Sequence, residues 1–168
     1  MKIPADRVKE LKGQSGAGIM ECRNALLEAE GVIEKAIEIL KEKNLFKATK
    51  KSKRSASEGL IEAYIHTGGR IGAMIEVNCE TDFAAHTDEF KELTHCLAMQ
   101  VAAMSPQFIS PEEAPEGTVL ESEADCLLLQ PYIKDPNLTI QDIINETIAK
   151  VGENIKVSRF ARFELGEQ

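Results

Sequence analysis

Residues Leu60–His66 and Ile71–Cys79 change character at every second position, and Thr67-Gly68-Gly69-Arg70 separates them. In the first run Ile61, Ala63 and Ile65 alternate with Leu60, Glu62, Tyr64 and His66. In the second, Ile71, Ala73, Ile75, Val77 and Cys79 alternate with Gly72, Met74, Glu76 and Asn78. A period of two puts neighbouring side chains on opposite faces of a strand, and a Gly-Gly turn supplies the backbone angles of a hairpin. Two antiparallel strands follow, and they need helices to cover one face.

Much of the rest of the chain reads as helical. Residues 1–46 predict three short helices. Pro4 stands at the start of the first, with Val8 and Leu11 on one face up to Gly13. Gln14–Gly18 is a turn. Met20, Arg23, Leu26 and Leu27 mark the second helix, which Gly31 follows, and Ile33, Ala36, Ile37 and Leu40 stripe the third. A bundle of this size is marginal by core area alone, which suits a binding module. Residues 47–57, KATKKSKRSAS, predict a flexible basic linker.

Beyond the hairpin, Thr81-Asp82 can open a short helix. Thr87 can cap a long one, with Phe90, Leu93, Leu97, Val101 and Met104 as its buried stripe, closed by Pro106. Residues 105–118 hold three prolines and read as a loop, residues 119–130 suit helix or strand, and Pro131–Asn137 reads as a loop. Thr139 and Asp142 form a capping box for a helix with Ile140, Ile143, Ile144, Ile148 and Val151 inside, ended by Gly152. Ile155–Leu165 is a last strand, with Ile155, Val157, Ala161 and Phe163 among its alternate positions. The expected fold is α+β: a three-helix domain at 1–46, a linker at 47–57, and a core at 58–168 with a small antiparallel sheet and helices on one face.

Charge divides the chain in the same place. Residues 1–54 carry 13 Lys/Arg against 8 Asp/Glu, a net of +5, and residues 55–168 carry 7 against 20, a net of −13. A body at −13 repels a nucleic acid backbone, so nucleic acid is not expected as the main ligand. The N-terminal MKIPADRVKEL has no apolar run of signal-peptide length, and no later run could span a bilayer. The expected compartment is the bacterial cytoplasm, or an organelle's matrix or stroma, with no membrane partner. Cys22, Cys79, Cys96 and Cys126 are widely spaced without a C-x-x-C pair, which predicts buried or idle thiols.

The stretch NCETDFAAHTDEF, Asn78–Phe90, concentrates the functional question. Cys79, His86, His95 and Cys96 are metal-ligand types, but their spacing matches no metal motif, so no metal or other cofactor is expected. A Cys–His nucleophile would need an oxyanion hole, and no glycine-rich turn leads into a helix after Cys79, so no catalytic residue is assigned. The third reading is contact. Asp82 suits a helix N-terminus, and Phe83 stands on the first turn before Ala84 and Ala85. By pattern that ring is either core or a knob for a partner.

Several segments resemble the elongation factor Ts family, the nucleotide exchange factors of elongation factor Tu. SGAGIMECRNAL (Ser15–Leu26) resembles the family's SGAG-x-MDC-x-x-AL signature, and EVNCETDFA (Glu76–Ala84) its EVNC-x-TDFV signature. QPYIKDPNLTI and GENIKVSRFARFELGE resemble its C-terminal segments. Glu21 replaces the usual Asp and Ala84 the usual Val. The chain looks like a short form of the family. The resemblance implies a ubiquitin-associated-like N-terminal domain that docks on the partner through Gly18, Ile19 and Met20. It also implies that Thr81, Asp82, Phe83 and Ala84 dislodge the partner's magnesium and release GDP. A homodimer through the core is also compatible with a short form. The alternatives are a non-enzymatic adaptor that takes a peptide or a ubiquitin-like partner on its helical domain, an RNA-binding accessory that uses the basic linker, and a cysteine-dependent enzyme.

Overall fold

A computed structural model describes residues 3–120 and 123–167 of the chain. Three helices come first: α1 (Ala5–Ser15), α2 (Ile19–Glu28) and α3 (Ile33–Lys51). Val8, Leu11, Cys22, Ala25, Leu26, Ile33, Ala36 and Leu40 meet in their shared core. On α2 the stripe differs from the expected one. Cys22, Ala25 and Leu26 are buried, whereas Met20 and Leu27 face solvent.

Helix α3 runs further than its apolar stripe suggested. It continues through Lys47–Lys51, the first half of the expected linker, and only residues 52–57 connect it to the sheet. The reason is packing. Ala48 is buried against the second core, and Lys50 and Lys51 lie in the last turn, where cations favour the helix dipole. One helix therefore belongs to both hydrophobic clusters.

The second unit is the α+β core. Strands β1 (Glu58–Ile65), β2 (Ile71–Cys79) and β5 (Ile155–Glu164) form an antiparallel sheet in the order β1-β2-β5. Gly59, at φ 146°, brings β1 so close to Val77 that a Cβ there would collide with the Val77 carbonyl oxygen. Between β2 and β5 lie α4 (Asp82–Ala85), α5 (Asp88–Met104), a two-stranded β3 (Pro131–Tyr132) and β4 (Asp135–Thr139), and α6 (Ile140–Val151). Phe90, Leu93, Leu97 and Val101 of α5, with Ile140, Ile144 and Ile148 of α6, cover one sheet face. Met104, expected in the α5 stripe, is exposed in the helix's last turn.

Among the described residues, none covers the other face of the sheet. On β1 it is Leu60 and Tyr64 that pack inward, while Ile61 and Ile65 point out. On β5 a bulge changes the parity: Arg159 pairs with Glu76, yet Val157 pairs with Val77. Ile155 and Val157 therefore face the core, whereas Phe163 is exposed. Phe160 and not Ala161 packs inward after the bulge. Ile61, Ile65, Met74 and Phe163 are all exposed, and beside them Arg159 Nε meets Glu76 Oε2 at 2.6 Å.

The β3–β4 hairpin occupies a stretch expected to be a loop. It is fastened by side chains that carry no local signal: the buried Gln100 donates to Gln130 Oε1 and Pro131 O, and accepts from Ile133 N. Of residues 119–130, Glu121 and Ser122 lie outside the described residues, and two 3-10 turns follow at Glu123–Asp125 and Leu127–Leu129. No helix among the described residues is long and apolar enough to cross a membrane.

Candidate functional site: an aromatic turn after the central strand

Strand β2 ends at Cys79, whose side chain follows Val77 into the core. The chain then turns. Thr81 has extended angles and caps α4, its hydroxyl accepting from Ala84 N at 3.3 Å. Only four residues long, α4 could not persist alone. Its C-terminal side is fixed by Thr87, whose hydroxyl donates to Ala84 O at 2.7 Å and accepts from Phe90 N at the start of α5. His86 Nδ1 lies 2.7 Å from Asp82 O. Ala84 and Ala85 are buried beneath the turn.

These constraints leave Phe83 pointing outward. Its side chain is 86% exposed, the highest value among the exposed large hydrophobic residues. Thr81 and Asp82 are exposed beside it. Ala84 is not: it packs in the core cluster, so it seats the turn and presents no surface. The small side chain leaves the ring without a bulky neighbour on its own helix.

A residue that no local pattern marks completes the turn. Glu153, between α6 and β5, reaches back across 72 positions. Its Oε2 accepts from Glu80 N at 3.1 Å and Thr81 N at 3.0 Å, and its Oε1 accepts from Thr81 Oγ1 at 2.7 Å. Next to it, Asn154 N donates to Glu80 Oε1 at 2.6 Å, and Asn154 Nδ2 donates to Arg54 O at 2.8 Å. Arg54 also pairs with Glu80 at 3.5 Å. The short stretch after α6 thus touches both the aromatic turn and the chain leaving α3. Its local sequence signal is an acidic residue just past a helix-ending glycine, which says nothing of its distant partners.

On the helical unit, Gly18, Ile19 and Met20 open α2, and all three are exposed. Glu21 ties this end to α3: it accepts from Gly18 N at 3.3 Å and from Lys47 Nζ at 2.6 Å. The Lys47 bond and the Gly18 amide together hold the Glu21 carboxyl below the ordinary range, against the opposing effect of its partial burial. Lys47 and Arg54, both from the basic stretch, are therefore engaged within the chain.

The surroundings of Cys79 and Cys126 do not favour a thiolate. Cys79 donates to Thr81 O at 3.1 Å, and burial, with Glu153 adding to it, pushes its pKa to about 11. A nucleophilic cysteine needs the opposite shift. Cys126 is likewise pushed up by burial. His95 Nδ1 lies 3.0 Å from Glu62 Oε1, on another element from His86. Among the described residues no three His, Cys, Asp or Glu side chains gather as a metal ion would require.

Comparison with known proteins gives a consistent result. A family model described as Elongation factor TS matches residues 14–125. The elongation factor Ts of Caldanaerobacter subterraneus subsp. tengcongensis is 50% identical, with 98% of this chain and 98% of that protein aligned. That of Moorella thermoacetica is 48% identical over 98% of this chain and 96% of its own length. For Fervidobacterium nodosum the identity is 47%, over 99% and 100%. These alignments extend over 195 to 197 positions, more than the 168 residues of this chain, so each includes positions that the chain does not fill.

Proposed function

Because the chain belongs to the elongation factor Ts family, and so serves translation elongation, we propose that it is the guanine nucleotide exchange factor of elongation factor Tu. The observation that carries this reading is Phe83, a fully presented ring on a four-residue helix that is braced on both sides. Exposed aromatic side chains on rigid supports are what binding hot spots use. Ile19 and Met20, exposed at the start of α2, form the second contact, on the helical unit.

The mechanism is linkage and involves no covalent chemistry. A factor that binds the nucleotide-free partner more tightly than the GDP-bound one weakens GDP by the same ratio. A coupling of about 4 kcal/mol weakens the nucleotide roughly a thousandfold. A ring driven between partner helices can supply this coupling by displacing the partner's magnesium, since the ion neutralises the phosphates it bridges. Thr81 and Asp82 frame the ring, and Ala84 anchors it from below. The chain stays bound until GTP enters. The cytoplasm, or an organelle's interior, is where this partner is met. The test is release of fluorescently labelled GDP from purified elongation factor Tu with magnesium present. Acceleration that rises and saturates with this protein is expected; an unchanged rate at every concentration overturns the reading.

Self-association through the core belongs to the same proposal. The bare sheet face offers Ile61, Ile65, Met74 and Phe163, and its Arg159–Glu76 pair is self-neutralised. On this face a second copy of a body at −13 meets apolar side chains and a neutralised ion pair. Light scattering should give a dimer that Phe163→Ser dissociates; a monomer at every concentration removes the dimer and leaves the exchange reading standing.

A further inference from the structure

We propose that Glu153 is a positioning residue of the exchange surface, presetting the Thr81–Phe83 turn before any partner arrives; this rests on the exchange reading above. Three features carry it. First, α4 is too short to hold its own direction, so the direction of Phe83 depends on what fixes the helix start. Second, both Glu153 oxygens are committed there: Oε2 takes the amides of Glu80 and Thr81, and Oε1 takes the Thr81 hydroxyl. A hydroxyl that donates to Oε1 keeps its lone pairs for Ala84 N, so the carboxylate also sets the cap. Charge-assisted bonds of this kind are the stronger class. Third, among the described residues no other acceptor takes the amides of Glu80 or Thr81, so without Glu153 both amides at the helix start lose their partner.

The next residue extends the device. Asn154 grips Glu80 through its amide and the end of α3 through Arg54 O and Ser52 O. The turn and the helical unit are thus held by consecutive residues. A rigid turn spares the partner the cost of ordering it, so loss of Glu153 acts on the ring's aim and leaves the contacts of Ile19 and Met20 intact.

The test uses the full chain with Glu153→Ala and Glu153→Gln, each alone and combined with Phe83→Ala. Amide hydrogen exchange at Glu80 and Thr81 should quicken about tenfold or more in Glu153→Ala while β2 amides stay protected. In GDP release, the saturating rate should fall about tenfold with the half-saturating concentration within about twofold of the unaltered protein. Glu153→Gln, whose carbonyl can still take the two amides, should lie between. In the Phe83→Ala background Glu153→Ala should add almost nothing, because it acts through that ring. Full release by Glu153→Ala, or losses that simply multiply with those of Phe83→Ala, would overturn the proposal. So would unchanged amide protection. If the unaltered protein releases no GDP, the exchange reading fails and the role of Glu153 in exchange fails with it; the amide measurement still decides whether the carboxylate holds the turn.

Discussion

Phe83 and Cys79 sit four positions apart and have opposite fates: one ring offered to solvent, one thiol sealed in the core. Each gives a prediction. Replacing Phe83 by Ala removes no packed surface, so thermal stability should change by no more than about 0.5 kcal/mol. GDP release should fall about thirtyfold, the effect of losing a hot-spot aromatic of about 2 kcal/mol. Unfolding of this variant would instead mean that the ring supports the core. Cys79 predicts an alkaline weakness. Its pKa rises from the usual 9.0 to about 11 on folding, so the stability linked to it is complete below pH 9 and is lost as pH climbs toward 11. Melting temperatures measured from pH 7 to 11 should drop across that window, and less steeply in Cys79→Ala. Cys126, also pushed up by burial, adds to the same drop.

The elements with strong local signals were legible from the sequence. Thr87 and Thr139 cap the helices they were expected to cap, Gly152 ends α6 in a left-handed conformation, and the hairpin turn lies where Gly68-Gly69 placed it. Three of the departures share one cause, contacts from far along the chain. Ala48 draws α3 past its apolar stripe, Gln100 pins β3–β4, and a bulge opposite Val77 reverses the facing of β5 after Val157. Phe83 is ambiguous in the sequence for the same reason: the turn that carries it is tied to Glu153, which lies 72 positions after Thr81. Gly59 shows how much a long-range approach can demand of one position. Gly59→Ala should cost about 2–3 kcal/mol in denaturant unfolding, since its φ is unfavourable to any side chain and a Cβ would strike β2. At Gly72 the added Cβ would clash with the end of the flexible Ile65 side chain and reach the Tyr64 carbonyl oxygen only at ordinary contact distance, so Gly72→Ala should cost less.

For the molecule as a whole, α3 is the joint. Its 19 residues span about 28 Å. Its N-terminal half packs with α1 and α2, while Ala48 packs with the sheet unit. Calorimetry should therefore show one unfolding transition, and a buried charge in Ala48→Glu should split it in two. A single transition in that variant would mean that Ala48 does not couple the units. The order of the strands has a further consequence, for the time of synthesis. The centre of the sheet is made early, but its outer partner β5, with Glu153 just before it, leaves the ribosome last among the paired elements. A nascent chain thus displays Gly18–Met20 and Thr81–Phe83 well before the carboxylate that aims the ring has been translated. Competence to act on the partner arrives late and in one step, so a prematurely released chain should be a poor competitor for elongation factor Tu.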